Sequence, residues 1–99
     1  MKPYVFHPEA EMEFREALGR YAAISEGLAR RSYTEIERLS AEVSETPNRY
    51  PFVRRPVRRH FGKVFPYALI YAVQADAVIV LAVAHFRRRP GYWRGRLSG

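Results

Sequence analysis

The sequence contains no cysteine. Disulfides and zinc–thiolate sites are therefore excluded, and a reducing compartment is the natural setting. The N-terminal stretch MKPYVFHPE lacks the apolar core of a secretion signal. No apolar run approaches the ~20 residues that a membrane span requires. The chain is accordingly expected to be soluble and cytoplasmic. Acidic residues nearly vanish from the second half. Residues 1–48 carry six basic and nine acidic side chains, net −3, whereas residues 49–99 carry eleven basic residues and a single acid, Asp76, net +10. Ten of those eleven cations are arginines, whose planar forks match phosphate and carboxylate. So lopsided a distribution points to an anionic partner, either nucleic acid or an acidic protein.

Ninety-nine residues are expected to form one domain, 1–99, able to bury roughly two-thirds of its unfolded surface. Its centre is FPYALIYAVQADAVIVLAVAHFRRR, from Phe65 to Arg89. This reads as two apolar strands around the turn Gln74-Ala75-Asp76. The run Ala77–Ala84 has no polar side chain, as befits a central strand covered on both faces. It ends at His85-Phe86-Arg87-Arg88-Arg89-Pro90, which sets three guanidiniums on a rigid support.

In chain order, Tyr4-Val5-Phe6 predicts a first strand and His7-Pro8-Glu9 the start of a helix running to about Ser25. Ala10, Phe14, Ala17, Leu18 and Tyr21 mark its buried stripe, with Glu11, Glu13, Arg15, Glu16 and Arg20 facing solvent. Gly27 is expected to end that helix in a left-handed conformation. A second helix follows from about Leu28 to Glu45, with Ala29, Ile36, Leu39 and Val43 inward, and Pro47 stops it. The short link makes the two helices an antiparallel hairpin. Residues 48–56 read as a loop and Val57–Val64 as a strand. Strict alternation puts Val57, Arg59 and Phe61 on one face and Arg58 and His60 on the other. A bulge at Gly62 would reset that phase. A short helical turn near Gly91–Arg94 packs back. The expected architecture is α+β in the order β-α-α-β-β-β, with a two-helix hairpin on one face of a mainly antiparallel sheet. The core is expected to set Phe14, Leu18, Tyr21, Ile36, Leu39 and Val43 against Leu69, Tyr71, Ile79 and Leu81.

The chemistry-bearing residues are few. His7, His60 and His85 have no metal-ligand spacing and no carboxylate partner, so no metal or other cofactor is expected. There is no phosphate-binding glycine loop and no nucleophile elbow. Arg58, Arg59, His85, Arg87 and Tyr92 remain as a set near one sheet end. Such a set can cleave RNA, with imidazole moving protons and arginine stabilising the phosphorane. The same residues with Arg88 and Arg89 can equally bind an anionic target without chemistry.

The stretches HPEAEMEFREAL from His7, ETPNRYPFVR from Glu45, FPYALIYAV from Phe65 and VIVLAVAHFRRRPGYW from Val78 together resemble the RelE/ParE superfamily of bacterial type II toxins. The resemblance implies a small α+β toxin neutralised by a cognate antitoxin. It also implies one of two activities. RelE-like members cut mRNA on the ribosome, and ParE-like members block DNA gyrase. RelE-type nucleases place an arginine where this chain has Ala68, which favours the ParE-like side. If the chain were a nuclease, Arg59, His85 and Arg87 would be its catalytic residues. A basic interaction module without toxicity is the third possibility. Target contact is assigned to Arg58, Arg59, Arg87, Arg88, Arg89 and Tyr92. Antitoxin contact, through an acidic C-terminal segment, is assigned to Phe14, Tyr21, Arg87 and Arg88.

Overall fold

The structure is a computed structural model that describes residues 1–97. Residues 98 and 99 of the expected 1–99 domain lie outside the described residues. Strand β1 (Tyr4–Phe6) leads into helix α1 (Pro8–Ala22) and helix α2 (Glu26–Glu45). Strands β2 (Phe52–Arg54), β3 (Val57–Phe61), β4 (Tyr67–Val73) and β5 (Val78–His85) follow, then a 3-10 turn at Arg94–Arg96. The sheet runs β1-β5-β4-β3-β2, antiparallel except for the parallel pairing of β1 with β5. The expected α+β layering and helix hairpin are present. The strand β2 is additional, since residues 48–56 were expected to form a loop. Its three residues sit between Pro51 and Pro56 at the sheet edge, where a missing N–H breaks no ladder, and this proline content hides a strand from sequence inspection.

The helix starts have local causes. His7 precedes Pro8, and its Nδ1 accepts a hydrogen bond from the Glu9 amide at 3.1 Å. Between the helices the expectation fails in detail. Gly27 does not end α1; it lies in the first turn of α2, which Ser25 caps by accepting from the Leu28 amide at 3.0 Å. Serine is the stronger start signal there, and glycine costs little in a first turn. The left-handed glycine is Gly91, with φ 77°, which turns the tail back toward the sheet. Gly62 is not a bulge, because β3 stops at Phe61. A Cβ on Gly62 would lie 2.8 Å from a Glu35 carboxylate oxygen and 2.9 Å from two backbone carbonyls. Glu35 is buried on α2 and accepts hydrogen bonds from the successive amides of Lys63, Val64 and Phe65. The loop after β3 thus wraps a carboxylate that belongs to the helix.

Both faces of the sheet are packed. On the helix side Ile36, Leu39 and Val43 meet Leu69, Tyr71, Val78 and Val80. Phe14 and Tyr21 border this core, whereas Leu18 is only half-buried and is not among its members. Ile79 and Leu81 lie on the other face, with Val57, Ala68, Ile70 and Trp93. The expected core placed them under the helices. A strand of apolar residues alone carries no mark of which alternate set points inward, and an irregular register near Ile70 and Tyr71 shifts the phase again.

Leu39 is fully buried. Leu39→Ala should cost about 2–5 kcal/mol in chemical denaturation; a change within about 0.5 kcal/mol would place the side chain at a surface.

Candidate functional site

The alternation expected for β3 holds, because Gly62 lies beyond the strand. Val57 is buried on the face away from the helices, and Arg59 shares that face. Arg58 and His60 turn the other way. Arg58 donates to the carbonyls of Asn48 and Tyr50 at 3.0 and 2.7 Å, and its guanidinium lies 3.8 Å from the Phe52 ring centroid. His60 stacks on Tyr50 at 3.7 Å and, against the expectation that no carboxylate pairs with it, meets Glu42 of the neighbouring helix at 2.7 Å. That imidazole contact, more than Arg38, holds the Glu42 carboxyl below its usual range. Arg58 and His60 therefore fasten the 48–52 segment and α2 to the sheet. Arg58 does not join the other arginines assigned to target contact.

Those others gather where β4 begins and β5 ends. Arg59, Arg88 and Arg89 border a hollow of about 190 Å³ on the open face, floored by Ala68, Ile70 and Ala84. The Arg59 guanidinium lies 4.5 Å from the Phe61 ring, and its buried Nε has no hydrogen-bond partner. A second hollow, of about 330 Å³, opens toward α1 between Arg20, Tyr67, His85, Arg87 and Arg88. The His85 ring packs edge-on against Tyr67 at 5.1 Å, and its Nδ1 accepts from the Arg87 amide at 3.0 Å. Burial first, then the charges of Arg87 and Arg20, depress the His85 pKa below 6.5. His85 borders both hollows, sharing the first with Arg59 and the second with Arg87. Among the described residues, no three His, Asp or Glu side chains converge as metal ligands.

The decisive side chain missed in the sequence is Glu13. It was expected to face solvent, yet its side chain is 12% exposed. One oxygen accepts from the Val83 amide at 3.0 Å; the pair of oxygens receives both Arg96 Nη groups at 2.9 and 3.0 Å, and Tyr92 donates at 2.8 Å. Arg96 also donates to the Leu81 carbonyl at 3.0 Å. Strand β1 pairs with β5 only as far as Val80, so beyond it Glu13 and Arg96 satisfy the strand edge. Glu13 lies one turn after buried Ala10 and one before buried Ala17, and that stripe position was the available signal. Tyr92 is consequently committed twice, to Glu13 and beneath the Arg88 guanidinium at 3.8 Å. Burial, then the Glu13 contact, raises its phenol well above the usual range. Trp93 is buried on the open face.

The two aromatic residues assigned to antitoxin contact are half-buried at the helix-side margin. Phe14 stacks between Phe6 and Tyr33 at 5.9 and 5.5 Å, and Tyr21 packs on Phe65 at 4.8 Å. Tyr67 bridges Tyr21 to His85, and its hydroxyl receives Arg20 at 2.7 Å. The α1 margin and the hollow beside Arg87 are thus continuous.

These features define a rigid α+β scaffold that displays arginines beside apolar hollows. The model of the ParE toxin family of type II toxin–antitoxin systems, parDE, matches residues 4–90, and the chain belongs to that family. Its structure is also similar to one from the chromosomal ParDE TA system of P. aeruginosa, with TM-score 0.75 at 15% identity, over 86% of this chain and 96% of that one. At that identity the likeness is one of fold. No curated protein sequence matches the chain.

Two measurements test this geometry. Glu13→Ala leaves a strand amide without its acceptor and a mostly buried guanidinium with only the Leu81 carbonyl and the exposed Glu9 carboxylate at 3.7 Å, so it should cost up to about 3–5 kcal/mol and red-shift the emission of Trp93, the single tryptophan. Unchanged stability and emission would mean the tail is held by something else. His85 should titrate below 6.5 by NMR, and Arg87→Gln should move its midpoint upward. Because the folded state resists protonating this histidine, its contribution to stability is present above the ordinary imidazole pKa and falls away as pH drops below it. A midpoint at or above 6.5 would contradict the assigned surroundings.

Proposed function

We propose that the chain is a cytoplasmic ParE-like growth inhibitor that acts by binding DNA gyrase and is neutralised by a cognate antitoxin. The observation that carries this reading is the family match over residues 4–90. The site supports binding rather than cleavage. Arg59, Arg88 and Arg89 line one hollow, and the His85 imidazole at its edge is packed against Tyr67 with its Nδ1 already accepting from the Arg87 amide. The +10 half of the chain favours fast encounter with an acidic surface. Target contact is assigned to Arg59, Arg87, Arg88 and Arg89, with Tyr92 supporting Arg88 from below.

Neutralisation follows from the same charges. An acidic antitoxin segment that orders on binding would lie along the margin of Phe14 and Tyr21 and reach Arg87 and Arg88. It would cover guanidiniums that the target needs, so inhibition and target binding would compete. Ordering such a segment consumes part of the interaction energy, so the covered area should be large.

Induced expression should arrest growth with an SOS response and intact mRNA. Codon-phased mRNA cuts would select ribosome-dependent cleavage instead, and normal growth would leave only a basic interaction module. Arg87→Ala with Arg88→Ala should remove toxicity while circular dichroism stays native. A folded double mutant that remains toxic, or binds an antitoxin C-terminal peptide as tightly as wild type, would move the site elsewhere.

A further inference from the structure

The hollow beside Arg59 has features that a merely basic surface does not need. Its floor is built from small or aliphatic side chains of neighbouring strands; Ala68 and Ala84 are directly paired in the ladder. Its rim carries Val53, Phe61 and Phe86, all large apolar residues left exposed at 37%, 47% and 53%. Contiguous exposed apolar surface rimmed by charge marks an interaction site. Three arginines border the hollow and no carboxylate does. Arg59, which borders it, also carries a buried Nε donor without an acceptor, which a native interior rarely leaves unmet. On the same face the chain's own tail buries Trp93, so this surface already accepts one aromatic anchor beside the empty space.

We infer that this hollow is a socket for a single apolar side chain of a partner protein, leucine or phenylalanine in size, carried on a segment with flanking carboxylates. About 190 Å³ suits one such side chain. The apolar floor would take it, the Arg59 guanidinium would donate to an oxygen of the adjoining backbone or carboxylate, and Arg88 and Arg89 would pair with the flanking acids. Aromatic and arginine side chains around a desolvated pocket are the usual composition of a binding hot spot. A nucleic-acid base fits less well, since base stacking needs bare ring faces. Here Arg59 covers Phe61 at 4.5 Å, Arg88 covers Tyr92 at 3.8 Å, and Phe61 and Phe86 meet edge to face at 88°. This inference rests on the target-binding reading only for the partner's identity; the socket stands on its own geometry.

The test separates the two. Fluorescent decapeptides of Asp and Glu around one central Leu or Phe are titrated into the full chain, with Ser at the centre as control and oligothymidylate as the competing ligand. The anchored peptides should bind at least tenfold more tightly than the Ser peptide. Ala68→Leu, which fills the socket from its floor, should erase that difference without lowering the melting temperature greatly. Ala84→Leu serves the same purpose if Ala68→Leu fails to fold. Arg59→Gln should weaken every acidic peptide. The socket is overturned if anchored and Ser peptides bind alike, if the preference survives a folded filled variant, or if oligothymidylate binds more tightly than any peptide. Gyrase inhibition by the wild type is measured separately. An anchor preference without gyrase inhibition would retire the proposed target and keep the socket.

Discussion

One carboxylate, Glu13, ties the strand edge, the first helix and the tail into a single unit. The strand β5 is apolar throughout most of its length and lies inside the sheet, so its backbone groups need partners that water cannot supply. Strand β1 is too short to provide them all. Glu13 and Arg96 complete the edge, one accepting from Val83 and the other donating to Leu81. Because Arg96 belongs to the tail, closing the edge also fixes the tail, and the tail brings Tyr92 under Arg88 and Trp93 onto the open face. A buried ion pair of this kind contributes more through what its loss would cost than through net stabilisation.

Glu35 plays a parallel part at the other side of the sheet. Its carboxylate gathers three successive amides of the loop that joins β3 to β4. Glycine at position 62 lets the loop approach closely enough. Two acids of the negatively charged half thereby anchor segments of the positively charged half. The arginine group at the end of β5, of which Arg88 reaches Glu13 at 3.9 Å, is held on a frame stiff enough to present it in a fixed arrangement. Binding through a preorganised surface spends less free energy on ordering side chains.

This arrangement sets arginines beside apolar hollows on a ParE-family fold. Proton transfer and charge stabilisation need their groups within reach of one reacting atom. Here His85 borders the same hollow as Arg59, but its ring is packed against Tyr67 and its Nδ1 is taken by the Arg87 amide. Arginines beside an apolar hollow supply both parts of protein recognition, attraction and a place for an anchor.

The sequence by itself determined the element types apart from β2, the helix hairpin, the central strand pair and the concentration of charge. These follow from local spacing, turn residues and composition, none of which depends on distant neighbours. Leu39, Ile36 and Val43 were legible as core because helical periodicity marks a face. Ile79 and Leu81 were assigned to the wrong face because a wholly apolar strand has no such mark, and only the register with β4 and β1 sets its phase. Strand β2 was hidden by the prolines that suit it to an edge. The division of the arginines into structural Arg58 and displayed Arg59 followed from strand alternation, once β3 ended before Gly62. The roles of Glu13, Glu35 and Arg96 were decided by tertiary structure alone. A carboxylate on a helix surface and one that caps a strand edge look the same in a sequence, and the difference lies in which unpaired backbone groups the fold brings to it.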